Sequence, residues 1–114
     1  MEKILTKLKE TAGVLGVYLT DEEGSLLFVS SSLDNSPLPL AGLFASLKGY
    51  FSELSEQTKV GKFIDAIINS SAGRIIISSI AEGKILVVFT SNTSSLGTIR
   101  LSIANTIEGL KKES

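Results

Sequence analysis

Five consecutive apolar residues, Ile85-Leu86-Val87-Val88-Phe89, constrain this chain more than any other feature. Side chains of a strand alternate between its two faces, so an extended segment that is apolar at every position must be covered on both sides. The run is far too short to cross a bilayer. It therefore belongs at the centre of a sheet, with helices above and below.

The rest of the chain supplies those helices and the flanking strands. Ile4, Leu5, Leu8 and Ala12 fall at helical spacing with Glu2, Lys3, Lys7 and Glu10 opposite, which predicts an amphipathic helix over the first dozen residues, stopped by Gly13. Val14 to Leu19 and Leu26 to Val29 read as a hairpin joined through Asp21-Glu22-Glu23-Gly24. Ser36-Pro37 opens a second helix, expected from Pro37 to Thr58. Its main stripe is Leu40, Leu43, Phe44, Leu47, Phe51 and Leu54, beside a row of small residues, Ala41, Gly42, Ala45, Ser46, Gly49 and Ser52. After Gly61 come three strands, Phe63 to Asn69, Arg74 to Ile80 and Lys84 to Thr90, separated by short glycine-bearing turns. A closing helix starts near Asn92-Thr93-Ser94 and carries Leu96, Ile99, Ile103, Ile107 and Leu110 on one side. The expected order is αββαβββα, an α+β architecture in a single domain over residues 1–114.

Composition removes most chemistry from consideration. Histidine and cysteine are both absent, which excludes imidazole acid/base catalysis, Ser-His triads, thiolate chemistry and the usual zinc ligands. No carboxylate pair is spaced as an acid/base couple, so no catalytic, cofactor or metal residues are assigned. Asp21, Glu22 and Glu23 read as a turn, because the ligand spacing of a calcium loop is missing. Ser94-Ser95-Leu96-Gly97 reads as a helix cap and not as a phosphate loop. The two arginines, Arg74 and Arg100, read as ordinary surface positions. A net charge of −1 with scattered signs argues against a nucleic-acid partner. The N-terminal segment has no apolar signal core, and no stretch is long enough for membrane insertion, so the expected location is cytoplasmic. Yet 43% hydrophobic residues is high for a small monomer, which points to an apolar face covered by another chain.

The order of elements resembles the Roadblock/LC7 family, which includes the dynein light chains of that name and the MglB-like regulators. The likeness is carried by Gly13-Val14-Leu15-Gly16-Val17, the turn Asp21 to Gly24, and Ile85 to Phe89 followed by Ser95-Leu96-Gly97-Thr98-Ile99-Arg100. The resemblance implies a profilin-like, five-stranded antiparallel sheet with the first and third helices on one face and the second on the other. It also implies a homodimer joined through the second helices and the third-strand edges, and a small Ras-like GTPase as partner, regulated or scaffolded without catalysis by this chain. The expected dimer interface is Ala41, Ala45, Lys48 and Ser52 on the helix, with Phe63, Asp65 and Ile67 at the strand edge. Partner-contacting residues are left unassigned. An edge rich in isoleucine gives the dimer a second reason, since uncovered it invites aggregation. Two rival readings are a small-molecule sensor of the PAS or GAF kind, which needs a ligand-sized cavity, and a pure structural scaffold.

Overall fold

The computed structural model describes residues 1–34 and 36–113. The elements run α1 (Glu2–Lys9), β1 (Val14–Asp21), β2 (Leu26–Ser31), α2 (Pro37–Gln57), β3 (Asp65–Ser70), β4 (Gly73–Ile80), β5 (Lys84–Ser91) and α3 (Leu96–Glu113), with a 3-10 turn at Ala81–Gly83. The five strands form one antiparallel sheet in the order β2-β1-β5-β4-β3. The uninterrupted apolar run thus occupies the central strand. Its alternation divides the interior in two: Leu86 and Val88 join Leu5, Leu8, Ile99 and Ile103 beneath α1 and α3. Ile85, Val87 and Phe89 join Tyr18 and Phe44 beneath α2.

Boundaries follow local chemistry. Asp21 Oδ1 accepts the backbone N–H groups of Glu23 and Ser25, both at 2.9 Å, which closes the β1–β2 turn. Ser36 takes the extended backbone of a cap residue ahead of Pro37. The third helix begins later than the sequence suggests, because Ser95 is its cap: Ser95 Oγ accepts the N–H of Thr98 at 3.3 Å. Asn92 and Ser94 are occupied otherwise. The Arg74 guanidinium donates to the carbonyl oxygens of Ser94 and Asn92 and to Ser94 Oγ, at 3.1 to 3.4 Å. Arg74, expected to be an ordinary surface residue, therefore clamps the β5–α3 loop.

One buried side-chain polar atom among the described residues has no partner. Thr20 is fully buried on β1, and its Oγ1 makes no hydrogen bond. An unsatisfied buried hydroxyl costs about 1–3 kcal/mol. Thr20→Val keeps the shape and the β-branch, so it is expected to stabilise the fold by about 1 kcal/mol, read as a higher urea midpoint. A lower midpoint would mean that the hydroxyl is bonded in solution.

Candidate docking surface

Helix α2 lies against the sheet through Leu40, Phe44, Leu47 and Phe51, a stripe with steps of four, three and four that stays on one side at 100° per residue. The two flanks of this stripe have different fates. On one flank, Ala41 is completely buried within its own protomer. There the β1–β2 turn comes so close that a Cβ on Gly24, which has φ +88°, would lie 3.2 Å from Gly42 Cα. Lys48, on the same flank, turns back to Glu22 with Nζ 3.3 Å from the carboxylate. Ala45 is half-buried against the aromatic cluster, and Ser52 is half-buried as well. Of the small-residue row expected to meet a second chain, Ala41 is buried inside the protomer, Ala45 and Ser52 are half-buried, and Gly42, Ser46 and Gly49 are exposed.

The opposite flank is the one left open. Leu43, Tyr50 and Leu54 are 58%, 71% and 64% exposed, at spacings of seven and four that align them along the helix. Sequence reasoning assigned Leu43 and Leu54 to the sheet-facing stripe and passed over Tyr50. Because Ala41 and Lys48 mark the side of the β1–β2 turn, this second stripe turns the other way, towards the β3 end of the sheet. Gly42 and Gly49 lie on the outward surface between the flanks, and a Cβ on either would meet nothing within 4 Å. Gly49→Ala is therefore expected to stabilise the chain by about 0.5–1 kcal/mol through helix propensity, measured by urea denaturation. A loss of stability would place a close neighbour over Gly49 in the assembled protein.

The sheet edge completes this side. β3 pairs only with β4, from Asp65↔Ser78 to Ser70↔Gly73, and its outer backbone is open among the described residues. Phe63 precedes it and stacks on Phe51 with ring centroids 5.4 Å apart. Asp65 is exposed, 3.9 Å from Arg100 Nη2. Ile67 is half-buried on the α1/α3 face, opposite Ile76. Of the seven expected interface residues, the structure gathers Phe63, Asp65 and Ile67 at one edge, buries Ala41 in its own protomer, pairs half-buried Lys48 with Glu22, and leaves Ala45 and Ser52 half-buried.

Among the described residues, no three carboxylates converge as ligands for a cation, and no helix is long and apolar enough to cross a membrane. Three clefts of about 210 to 240 Å³ open on the side of α1 and α3. These three lie below the about 300–1,000 Å³ that is common for small-molecule sites.

Comparison with known structures agrees with this fold. Myxococcus xanthus MglB superposes with a TM-score of 0.90 at 24% identity, over 96% of this chain and 93% of that one. A Roadblock/LC7 domain from Streptomyces avermitilis gives 0.89 at 12% identity, over 99% and 96%. The gliding protein MglB of Thermus thermophilus gives 0.86 at 21%, over 97% and 85%. No curated protein matches the sequence. The family model described as the Roadblock/LC7 domain matches residues 1–90, most of the chain, and the protein belongs to that family of regulatory and adaptor domains.

Proposed function

We propose that this chain is a homodimeric module that binds a small Ras-like GTPase in the cytoplasm and regulates or scaffolds it, with no catalysis of its own. One observation carries the reading: an apolar helix flank and an open strand edge lie on the same side of the protomer, with none of the described residues over either. In the proposed assembly two β3 edges pair around a two-fold axis, and the α2 flanks of Leu43, Tyr50 and Leu54 close over the joined sheet. Each large apolar side chain moved out of water contributes about 1.5–3 kcal/mol. Every one counts twice across a two-fold, which offsets the roughly 4–15 kcal/mol entropic cost of association.

The GTPase comes from the family resemblance, and the arginines bear on how such a partner would be treated. Arg74 is engaged with the Ser94 and Asn92 carbonyls, so it is not free to reach into a partner's nucleotide site as a transition-state arginine. Arg100 is exposed beside Asp65, and in this reading stimulation of hydrolysis comes from arranging the partner's own loops, so Arg100→Ala should leave it intact. The test has two steps. Light scattering at micromolar concentration should give twice the 12.1 kDa chain mass. The purified dimer, added to the Ras-like GTPases of its own cell, should bind at least one and change its GTP hydrolysis rate. A single-chain mass overturns the dimer; a dimer that binds none of these GTPases overturns the partner and leaves the structural scaffold.

A further inference from the structure

Among the described residues the sheet has a second open edge, β2, and we propose that it accepts, by strand addition, an extended segment of a protein partner whose uncharged centre is flanked by basic residues. This rests on the fold alone. β2 and β3 lie at opposite ends of the strand order, so the site stays open however the β3 side assembles.

The ladder with β1 fixes which β2 groups face outward. Ser32 donates its N–H to the Leu15 carbonyl at 2.8 Å, and the register continues Gly16↔Ser31, Val17↔Ser30, Tyr18↔Val29 and Leu19↔Phe28. Antiparallel pairs alternate between bonded and non-bonded. Ser30 and Phe28 therefore exchange bonds with β1, while the N–H and C=O groups of Val29 and Ser31 point away from the sheet. Donors and acceptors at that two-residue repeat are matched by another extended backbone.

Side chains define the occupant. Protein edges are usually guarded by lysine, proline or inward charge, yet β2 reads Leu-Leu-Phe-Val-Ser-Ser, without any of these. Val29, on the α2 face opposite Tyr18, is 38% exposed, and Leu27 at the bulge is 42% exposed. An added strand would bury both. The two ends of the edge are acidic, with Glu22 and Glu23 before β2 and Asp34 after it, all exposed. Lys48 is drawn to Glu22, which leaves Glu23 and Asp34 to set the sign at either end. A second copy paired antiparallel would bring the Glu23 end against the Asp34 end, like charge on like charge. A segment with basic ends is favoured instead.

The probe is a fluorescein-labelled peptide with the centre Thr-Val-Thr-Val and lysines at both ends, compared with the same centre carrying glutamates. Fluorescence anisotropy with the full chain should show saturable binding of the lysine-ended peptide and about tenfold or more weaker binding of the other. Amide exchange should slow at Val29 and Ser31. Val29→Pro removes an outward donor but none of the bonds to β1, so it should abolish binding while the Phe28 and Ser30 amides keep their protection. Glu23→Lys with Asp34→Lys, which leaves the strand untouched, should invert the preference between the two peptides. Absence of binding, binding that survives Val29→Pro in a protein with an intact ladder, protection at β3 instead, or an unchanged preference after charge reversal would each overturn the proposal.

Discussion

Exchanging Leu43 and Leu54 together for glutamate should convert the proposed dimer into folded single chains of 12.1 kDa. In the isolated protomer both side chains are more than half exposed, and changes at such positions usually alter stability by no more than about 0.5 kcal/mol. In the proposed seam they are covered, and the two-fold places four of them there. Even at the lower figure of about 1.5 kcal/mol each, losing all four weakens association by about 6 kcal/mol, or roughly four orders of magnitude. Buried carboxylates without partners deepen the loss. Light scattering reads the mass, and circular dichroism reads whether α2 and the sheet persist. An unchanged dimer mass would put the seam on another flank. Ala41→Glu would not serve the same purpose: Ala41 is fully buried beneath the β1–β2 turn, so a charge there breaks the fold and any change in mass follows trivially.

That contrast marks where sequence reading ends. Alternation in Ile85 to Phe89 places β5 at the sheet centre because a strand offers no third direction for its side chains. The stripe of α3 is equally legible, since Ile99 and Ile103 are buried and Leu96, Ile107 and Leu110 pack beside them. Helix α2 is harder. Apolar residues occupy more than half its circumference, so periodicity allows Leu43 beside Phe44 to count as core, and only the place of the β1–β2 turn decides which flank is covered. Small residues are ambiguous for the same reason. Ala41 and Gly42 permit close approach, and sequence does not say whether the approaching backbone is Gly24 of the same chain or a helix of another. The clamp by Arg74 joins segments about twenty residues apart across the sheet, a pairing that leaves no trace in local spacing. The late start of α3 has a matching cause, because the side chains of the earlier cap candidates are engaged elsewhere: Ser94 Oγ accepts from that guanidinium and donates to the Ser91 carbonyl, and the Asn92 amide donates to the Ser71 carbonyl.

Phe44→Ala should be the most damaging side-chain truncation on α2, where Phe44 is the one large side chain that is buried. The ring is 4% exposed and lies 5.5 Å from Tyr18 in an edge-on arrangement and 6.0 Å from Phe89. Truncating a buried phenylalanine costs about 3–5 kcal/mol, and the lost aromatic contacts lie within the upper part of that range. Small domains have only about 5–15 kcal/mol to lose, so the urea midpoint should fall steeply. The neighbours have little room to close the gap. Tyr18 is fixed at its far end by a hydrogen bond from its hydroxyl to Ser31 Oγ at 3.1 Å, and Phe89 is set by the central strand. Phe51→Ala supplies the comparison: that ring is half-buried and stacked on Phe63 near the edge, so its removal should cost clearly less. The order of the two losses reports how α2 is held. If Phe44 is the anchor, its removal also lets the helix shift and misplaces Leu43, Tyr50 and Leu54, so dimer affinity should fall with stability although no seam residue has changed. A loss below about 1 kcal/mol, with dimerisation intact, would show that α2 is positioned by contacts outside the aromatic cluster.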